Sequence, residues 1–245
     1  MKTLKLSIIA FLFSITSTSL LAQNADEIIS KYISTIGGTE KLKALKGIKM
    51  ELSVNQGGME IPVELVQQPG GKMYVKINLQ GKEMTQMASD GNTIWSTNFM
   101  TMKAEKADAE ATDNAKLSNA DFPDALLDYK TKGYAAEYVG KETKEGTECY
   151  KVKFTKKPIT VSGIKTDDIT YYFFDTENNL AIATETEIKQ GPMKGQKSTS
   201  TMSDYQEVDG LYFPFSMNQG GQDLKVTKIS FNPVVDEKAY AFPTE

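Results

Sequence analysis

The sequence predicts a mainly β protein: a strongly curved antiparallel sheet that forms an incomplete barrel, covered by N-terminal and mid-chain lid helices. Three observations predict this class. Successive short segments alternate apolar and polar residues, which places the apolar side chains on one face of a sheet. Tight turns such as Gly57-Gly58 make chain neighbours antiparallel partners. The pattern repeats often enough for ten or more strands, and an open sheet of about that size usually curls on itself.

Residues 1–22 have the pattern of a secretory signal peptide, because Lys2 and Lys5 precede a short apolar run and a stretch of small residues. The residue after the expected cleavage site is Gln23, where a lipid-anchored protein would carry cysteine. We therefore expect residues 23–245 to form one soluble, exported half-barrel domain.

Two helices and a first group of strands are predicted after the leader. The isoleucines of segment 26–36 recur on one stripe with Tyr32, which predicts a helix. A second short helix is expected over 39–45, with Thr39 as its N-cap. Five strands follow, at 48–54, 59–65, 73–79, 83–89 and 93–99.

The strand pattern stops at Met100. Residues 103–119 are rich in Ala, Asp, Glu and Lys, which predicts either a weakly held helix or a mobile loop. A short amphipathic helix is expected over 122–129, and the two segments together form the predicted lid. Seven more strands complete the sheet, at 134–141, 148–155, 169–174, 180–188, 198–206, 211–217 and 224–231.

The composition argues against catalysis. The chain has no histidine, which removes the imidazole base, the Ser-His and Cys-His pairs and histidine metal sites. Cys149 is the only cysteine and lies in a strand pattern, so we expect a buried, inert thiol. The formal net charge is −4 and arginine is absent, which disfavours nucleic acid as a partner. We expect no enzyme activity, no metal and no cofactor.

Methionine supplies the positive signal. Seven methionines fall between residues 50 and 102, and methionine suits surfaces that accept varied apolar partners. Met50, Met59 and Met73 are in the apolar phase of their strands, which places them on the concave face. The alternative is ordinary core filling, in which the chain's own helices cover this face.

The order of several short motifs resembles the LolA/LolB-like superfamily, in particular its outer-membrane lipoprotein-sorting-protein-like group. The motifs are IGGTEKL at 36–42, DGNTIW at 90–95, FPDALL at 122–127, YQEVDGLYFP at 205–214 and FNP at 231–233. The resemblance covers the whole mature chain. It implies a helix-closed incomplete barrel that holds acyl chains and has no catalytic residues.

The resemblance implies a periplasmic, non-catalytic carrier or sensor that binds lipid or lipoprotein acyl chains in an apolar cavity. Membrane donor and acceptor proteins are further candidate partners. The alternative is a structural or protein-binding module with a self-filled sheet core. The residues expected to contact lipid are Met50, Leu52, Val63, Leu65, Met73, Val75, Ile77, Met84 and Trp95. The residues expected in the lid are Phe99, Met100, Phe122, Leu126 and Leu127.

Overall fold

The computed structural model describes residues 25–243. The predicted signal peptide over residues 1–22 lies outside this range. Helix α1 covers 25–35 of the described chain, and the other helices are α2 (Thr39–Lys43) and α3 (Ala109–Leu117). The strands are β1 (Ile48–Gln56), β2 (Met59–Gln68), β3 (Lys72–Leu79), β4 (Lys82–Asp90), β5 (Ile94–Asn98), β6 (Lys103–Lys106), β7 (Ala135–Lys144), β8 (Thr147–Thr155), β9 (Ile159–Val161), β10 (Ile164–Thr166), β11 (Ile169–Asp175), β12 (Ala181–Glu187), β13 (Lys197–Val208), β14 (Leu211–Gln219) and β15 (Gln222–Phe231).

Thirteen strands of the described chain form one antiparallel sheet, in the order β6-β5-β4-β3-β2-β1-β15-β14-β13-β12-β11-β8-β7. Strands β9 and β10 form a separate hairpin. Strands β6 and β7 are the two edges of the large sheet, so it is an incomplete barrel. The predicted mainly β fold is therefore confirmed.

Helix α1 covers one face of the sheet, which we call the inner face. Its apolar stripe is buried, and the Tyr32 ring lies 5.3 Å from the ring of Phe174 on β11. Helix α2 is capped by Gly38 rather than by the predicted Thr39, and no side chain caps it. The preceding Gly37 lies against the turn before β14, where a Cβ would be 2.6 Å from the Gly210 carbonyl oxygen.

The strand registers bring the predicted apolar residues together on the inner face. Met50 lies opposite Leu65, and Leu65 lies opposite Val75. The next row joins Leu52, Val63 and Ile77 in the same way. Directly paired residues point to the same side of a sheet, so both rows share one face. Met59 has the same phase but is exposed at the start of β2.

The buried side chains form three clusters within the described residues. The largest lies between α1, α2 and the inner faces of β1, β15, β14, β12, β11 and β8. A second cluster, on the outer face, joins Val66, Tyr74, Ala88 and Trp95 to Tyr240 of the C-terminal segment. A third, also on the outer face, contains Cys149, which is fully buried as predicted.

The middle of the chain differs from the prediction. The predicted helix over 122–129 consists of bends and turns. The Asp124 carboxylate accepts a hydrogen bond from the Leu126 N–H at 2.7 Å, and Asp128 has a positive φ of 50°. A side chain that binds a nearby backbone N–H competes with the helix, and a left-handed residue ends it. Strand β6 and the β9–β10 hairpin were not predicted.

Candidate functional site

The inner face is filled unevenly. Leu52 is buried in the large cluster, and Met50 and Val63 pack against it. Farther along the sheet, a group of half-buried apolar residues on β2–β5 belongs to none of the three clusters of the described chain. We call this group the inner strip: Leu65, Met73, Val75, Met84, Met87 and Ile94. Its apolar surface is therefore not covered by helix α1.

A cavity of about 580 Å³ lies at one end of the inner strip. This volume is in the range of about 300–1,000 Å³ that small-molecule sites occupy. The apolar part of its wall includes Met73, Ile94, Phe122, Ala181 and Met202. The polar part includes Tyr32, Gln67, Ser89, Asn119, Asp121, Asp124, Tyr172 and Thr184. The cavity thus has both an apolar wall and a polar wall.

Two distant parts of the sheet build this wall. On one side, the pairings of Gln67 with Met73, of Met73 with Ser89 and of Ser89 with Ile94 form one continuous row across β2–β5. On the other side, β11 and β12 place two lining residues, Tyr172 and Thr184, directly opposite each other. The curvature of the sheet turns these two parts towards each other.

The segment between α3 and β7 roofs the cavity. The Asn119 amide donates to the Gly91 carbonyl oxygen at 3.2 Å, which ties the roof to the β4–β5 turn. Asn119 also packs against Gly71 in the β2–β3 turn, where a side chain would overlap it. Phe122 and Pro123 complete the roof. The roof therefore contacts two turns that lie at the same end of the β2–β5 strands.

Asp124 lies at the polar end of the cavity and is held by two donors. The Tyr32 hydroxyl donates to its Oδ2 atom at 2.9 Å, and the Leu126 N–H donates to its Oδ1 atom. Burial raises the pKa of Asp124, although these hydrogen bonds and the nearby Lys132 ammonium oppose the shift. Burial also raises the pKa of Tyr32 well above its usual value, so its hydroxyl stays protonated and donates.

Asp121 provides a second carboxylate at this end. It accepts hydrogen bonds from the Tyr134 hydroxyl at 2.9 Å and from the Lys156 ammonium at 3.0 Å. Lys156 also lies 3.3 Å from Asp168. The pKa of Lys156 is raised because these two carboxylates outweigh the effect of its burial. The polar end is therefore anchored by ion pairs to the ends of β8 and β11.

Helix α3 is held mainly by polar contacts. None of its residues is buried. Asn114 makes two hydrogen bonds to the backbone of Thr160 on β9, at 2.6 and 2.8 Å. The Glu110 carboxylate accepts two N–H groups of the hairpin turn at 162–163, both at 2.8 Å. We call these four hydrogen bonds the latch, because they join α3 to the β9–β10 hairpin.

The structure separates the predicted lid residues into three groups. Phe122 lines the cavity. Leu126 and Leu127 are 1% and 5% exposed and belong to the main core, so they anchor the segment. Phe99 and Met100 lie in the β5–β6 turn, where they are 48% and 93% exposed.

The predicted lipid-contact residues also divide. Met73 lines the cavity, and Leu65, Val75 and Met84 extend the inner strip away from it. Met50, Leu52, Val63 and Ile77 lie on the same face but nearer the filled core. Trp95 lies on the outer face, where its indole N–H donates to the Tyr240 carbonyl oxygen at 3.1 Å. The structure therefore separates Trp95 from the other eight.

Sequence reasoning missed the lining residues of the second half of the sheet. Tyr172, Ala181, Thr184 and Met202 come from strands that were predicted, but their contribution to a shared cavity was not. The alternation within 169–174 and 180–188 assigns their face. It does not show that this face meets Met73, which is about a hundred residues away in the chain.

Residues 25–243 contain no group of three His, Cys, Asp or Glu side chains placed to hold a metal ion. Within the same range, no helix is both long enough and apolar enough to cross a membrane.

The fold of the described chain, an open antiparallel half-barrel with a helix on its inner face, is LolA-like, as two solved structures show. A LolA superfamily protein from Nitrosomonas europaea matches with a TM-score of 0.54 and 11% identity, over 89% of this chain and 97% of that one. A DUF1329 family protein from Desulfovibrio piger matches with a TM-score of 0.55 and 12% identity, over 90% and 97%.

A third match is a domain from Vibrio parahaemolyticus described as an outer membrane lipoprotein-sorting protein domain. Its TM-score is 0.50 and its identity 11%, over 89% of this chain and 97% of that one. At these identities the likeness concerns the fold. No protein-family model matches the sequence, and no curated protein matches it either.

Proposed function

We propose that this protein is a periplasmic, non-catalytic carrier or sensor that holds an acyl chain of a lipid or lipoprotein in the cavity over the inner strip. The observation that carries the proposal is the uneven filling of the inner face. Six half-buried apolar residues form a continuous strip that no buried cluster of the described chain covers, and a roofed cavity lies at its end. Contiguous apolar surface that the rest of the protein leaves uncovered often marks a ligand-binding groove.

The energetics suit reversible binding. Each methylene transferred from water contributes about 0.8 kcal/mol, so an acyl chain of about twelve carbons gains roughly 9 kcal/mol before ordering costs. A bilayer offers a similar gain, so transfer between the cavity and a membrane is nearly balanced. The solved structure described as a lipoprotein-sorting domain supports this class of ligand. Membrane proteins that deliver or accept the ligand are part of the same proposal.

The second candidate is a structural or protein-binding module with a self-filled core. One observation favours it: α1 already fills the inner face from β1 to β8, and Leu126 and Leu127 pack into the same core. The inner strip is the part of the face that this filling leaves open. The two candidates therefore differ in whether the strip and the adjoining cavity accept an acyl chain.

The test is uptake of a pyrene-labelled monoacylglycerol by the delipidated mature chain. We expect saturation near one probe per chain. Met73→Glu and Met202→Glu place a charge on opposite walls of the cavity, and each should abolish uptake because an unpaired charge is costly beside an acyl chain. Gln86→Glu is the matched control, since Gln86 is exposed on β4.

Circular dichroism and thermal melts establish that each variant is folded. Two folded cavity variants that both bind the probe normally would exclude this cavity. A wild-type chain that shows no saturable uptake would favour the self-filled module.

A further inference from the structure

The polar end of the cavity specifies the chemistry of the ligand's head. We propose that it selects acyl compounds whose head donates hydrogen bonds and carries no negative charge, such as an acylglycerol hydroxyl or an N-acyl amide. Free fatty acids and anionic phosphate heads are disfavoured. This inference rests on the proposed function, because it concerns the same cavity and the same acyl chain.

The first support is the character of the polar lining. Asp121 and Asp124 both line the cavity. An ionised carboxylate only accepts hydrogen bonds, and its two oxygens offer about four acceptor positions. Asp124 receives two described donors, and Asp121 receives two as well. Acceptor positions therefore remain on each carboxylate, and a ligand head that donates hydrogen bonds can fill them.

The second support is Tyr172, which lines the same cavity. Its ring stacks on Phe174 with centroids 5.9 Å apart and meets the edge of Phe154 at 5.7 Å, so the hydroxyl has a fixed direction. Thr184 lies directly opposite Tyr172 on the neighbouring strand. Among the described residues, none makes a hydrogen bond with the side chain of either residue. Both residues line the cavity, and a hydroxyl group can donate a hydrogen bond to a ligand head or accept one from it.

The third support is the arrangement of the nearby cations. Lys156 is held between Asp121 and Asp168 at 3.0 and 3.3 Å. Lys132 donates to two backbone carbonyls. Lys72 lines the mouth of the cavity, but it pairs with a glutamate of the C-terminal segment at 2.7 Å. An anionic head would therefore meet two carboxylates while the neighbouring lysines are already engaged, and like charges at close range repel.

A comparison of two ligands with the same chain tests the proposal. 1-Monolauroylglycerol and laurate are titrated against the delipidated mature chain at pH 7.5, by displacement of the bound pyrene-labelled monoacylglycerol. We expect the monoacylglycerol to bind at least about tenfold more tightly, a difference of about 1.4 kcal/mol. Asp124→Asn removes one charge and keeps an acceptor, so it should reduce this ratio to about threefold or less by improving laurate binding.

Two further variants make the result specific. Tyr172→Phe should weaken the monoacylglycerol several-fold and affect laurate less, because repulsion by Asp121 and Asp124 keeps the laurate carboxylate away from this hydroxyl. Glu60→Gln removes one charge from an exposed position on β2 and should leave the ratio unchanged.

The outcomes separate the two proposals. If laurate binds the wild-type chain as tightly as the monoacylglycerol, the head-group inference is wrong and the acyl-binding function stands. An unchanged ratio in both Asp124→Asn and Tyr172→Phe would also refute the head-group inference. If neither ligand displaces the probe and the probe itself does not bind, the proposed function fails together with the inference.

Discussion

Breaking the latch should open the lid without unfolding the sheet. Helix α3 has no buried residue, and the latch joins it to the β9–β10 hairpin through Asn114 and Glu110. The double variant Glu110→Ala, Asn114→Ala removes all four hydrogen bonds. The two Glu110 bonds are exposed and the two Asn114 bonds are part-buried, so we count about 0.5–1 kcal/mol for each bond, which gives roughly 2–4 kcal/mol in total.

This free energy sets the expected size of the effect. Since about 1.4 kcal/mol corresponds to a factor of ten, the open lid should become about 30- to 1,000-fold more populated. Hydrogen exchange of peptides covering 107–121 should accelerate by that factor while the strands keep their protection. Dissociation of the pyrene-labelled monoacylglycerol should accelerate in parallel.

The control for the latch lies on the same helix. Asp113 makes only an exposed pair with Lys116, at 3.5 Å, so Asp113→Ala should change neither rate appreciably. Unchanged exchange over 107–121 in the double variant would refute the latch. Faster exchange of this segment with an unchanged dissociation rate would show that α3 opens without controlling the ligand.

Three further predictions concern parts of the fold outside the lid. Tyr240→Ala should shift the emission of Trp95 to longer wavelength, because Tyr240 is 1% exposed in the outer-face cluster that contains the indole and its loss admits water there. The acyl probe should leave that wavelength nearly unchanged, and a large probe-induced shift would contradict the assignment of faces. Glu185→Gln should lower the free energy of unfolding at pH 7 by about 1–3 kcal/mol, since Glu185 is nearly buried between Lys144 and a second lysine. Burial would raise the pKa of Glu185, but its lysine partners lower that pKa below its ordinary 4.5. The difference in free energy of unfolding between the variant and the wild type should therefore persist above that pH and shrink as the pH falls through the folded-state pKa. A difference in urea unfolding that does not depend on pH would refute this. Phe154→Ala should lower the free energy of unfolding by about 3–5 kcal/mol in the same assay, because Phe154 is fully buried among tyrosine rings. A decrease of less than about 1 kcal/mol would contradict the assigned core.

The sheet was predictable because its signal is local. Alternation over 48–54, 59–65 and 73–79 assigns a face to each residue, and tight turns fix the partner strand. Trp95 was expected to contact lipid, but the sequence of β5 lacks the clear alternation that would assign its face. The strand register assigns the face of Trp95. Ile94 pairs with Ser89 on the inner face, so the next residue, Trp95, lies on the outer face.

The lid and the cavity depend on contacts between distant residues. The spacing of Leu126 and Leu127 suits a helix, yet the segment folds into turns. The Asp124 carboxylate binds the backbone beside it and the Tyr32 hydroxyl, 92 residues earlier in the chain. No local pattern reveals such a partner. The same holds for Tyr172, which meets the inner strip only because the whole sheet curves.

The central claim is that an acyl chain lies in the roofed cavity at the end of the inner strip. Photo-crosslinking with a monoacylglycerol that carries a diazirine on its acyl chain, followed by peptide mapping, tests this claim most directly. The account predicts saturable labelling of residues on both walls and the roof, at Met73, Ile94, Phe122 and Met202. Labelling confined to the exposed turn at 99–102, or no saturable labelling, would contradict it and favour the self-filled module.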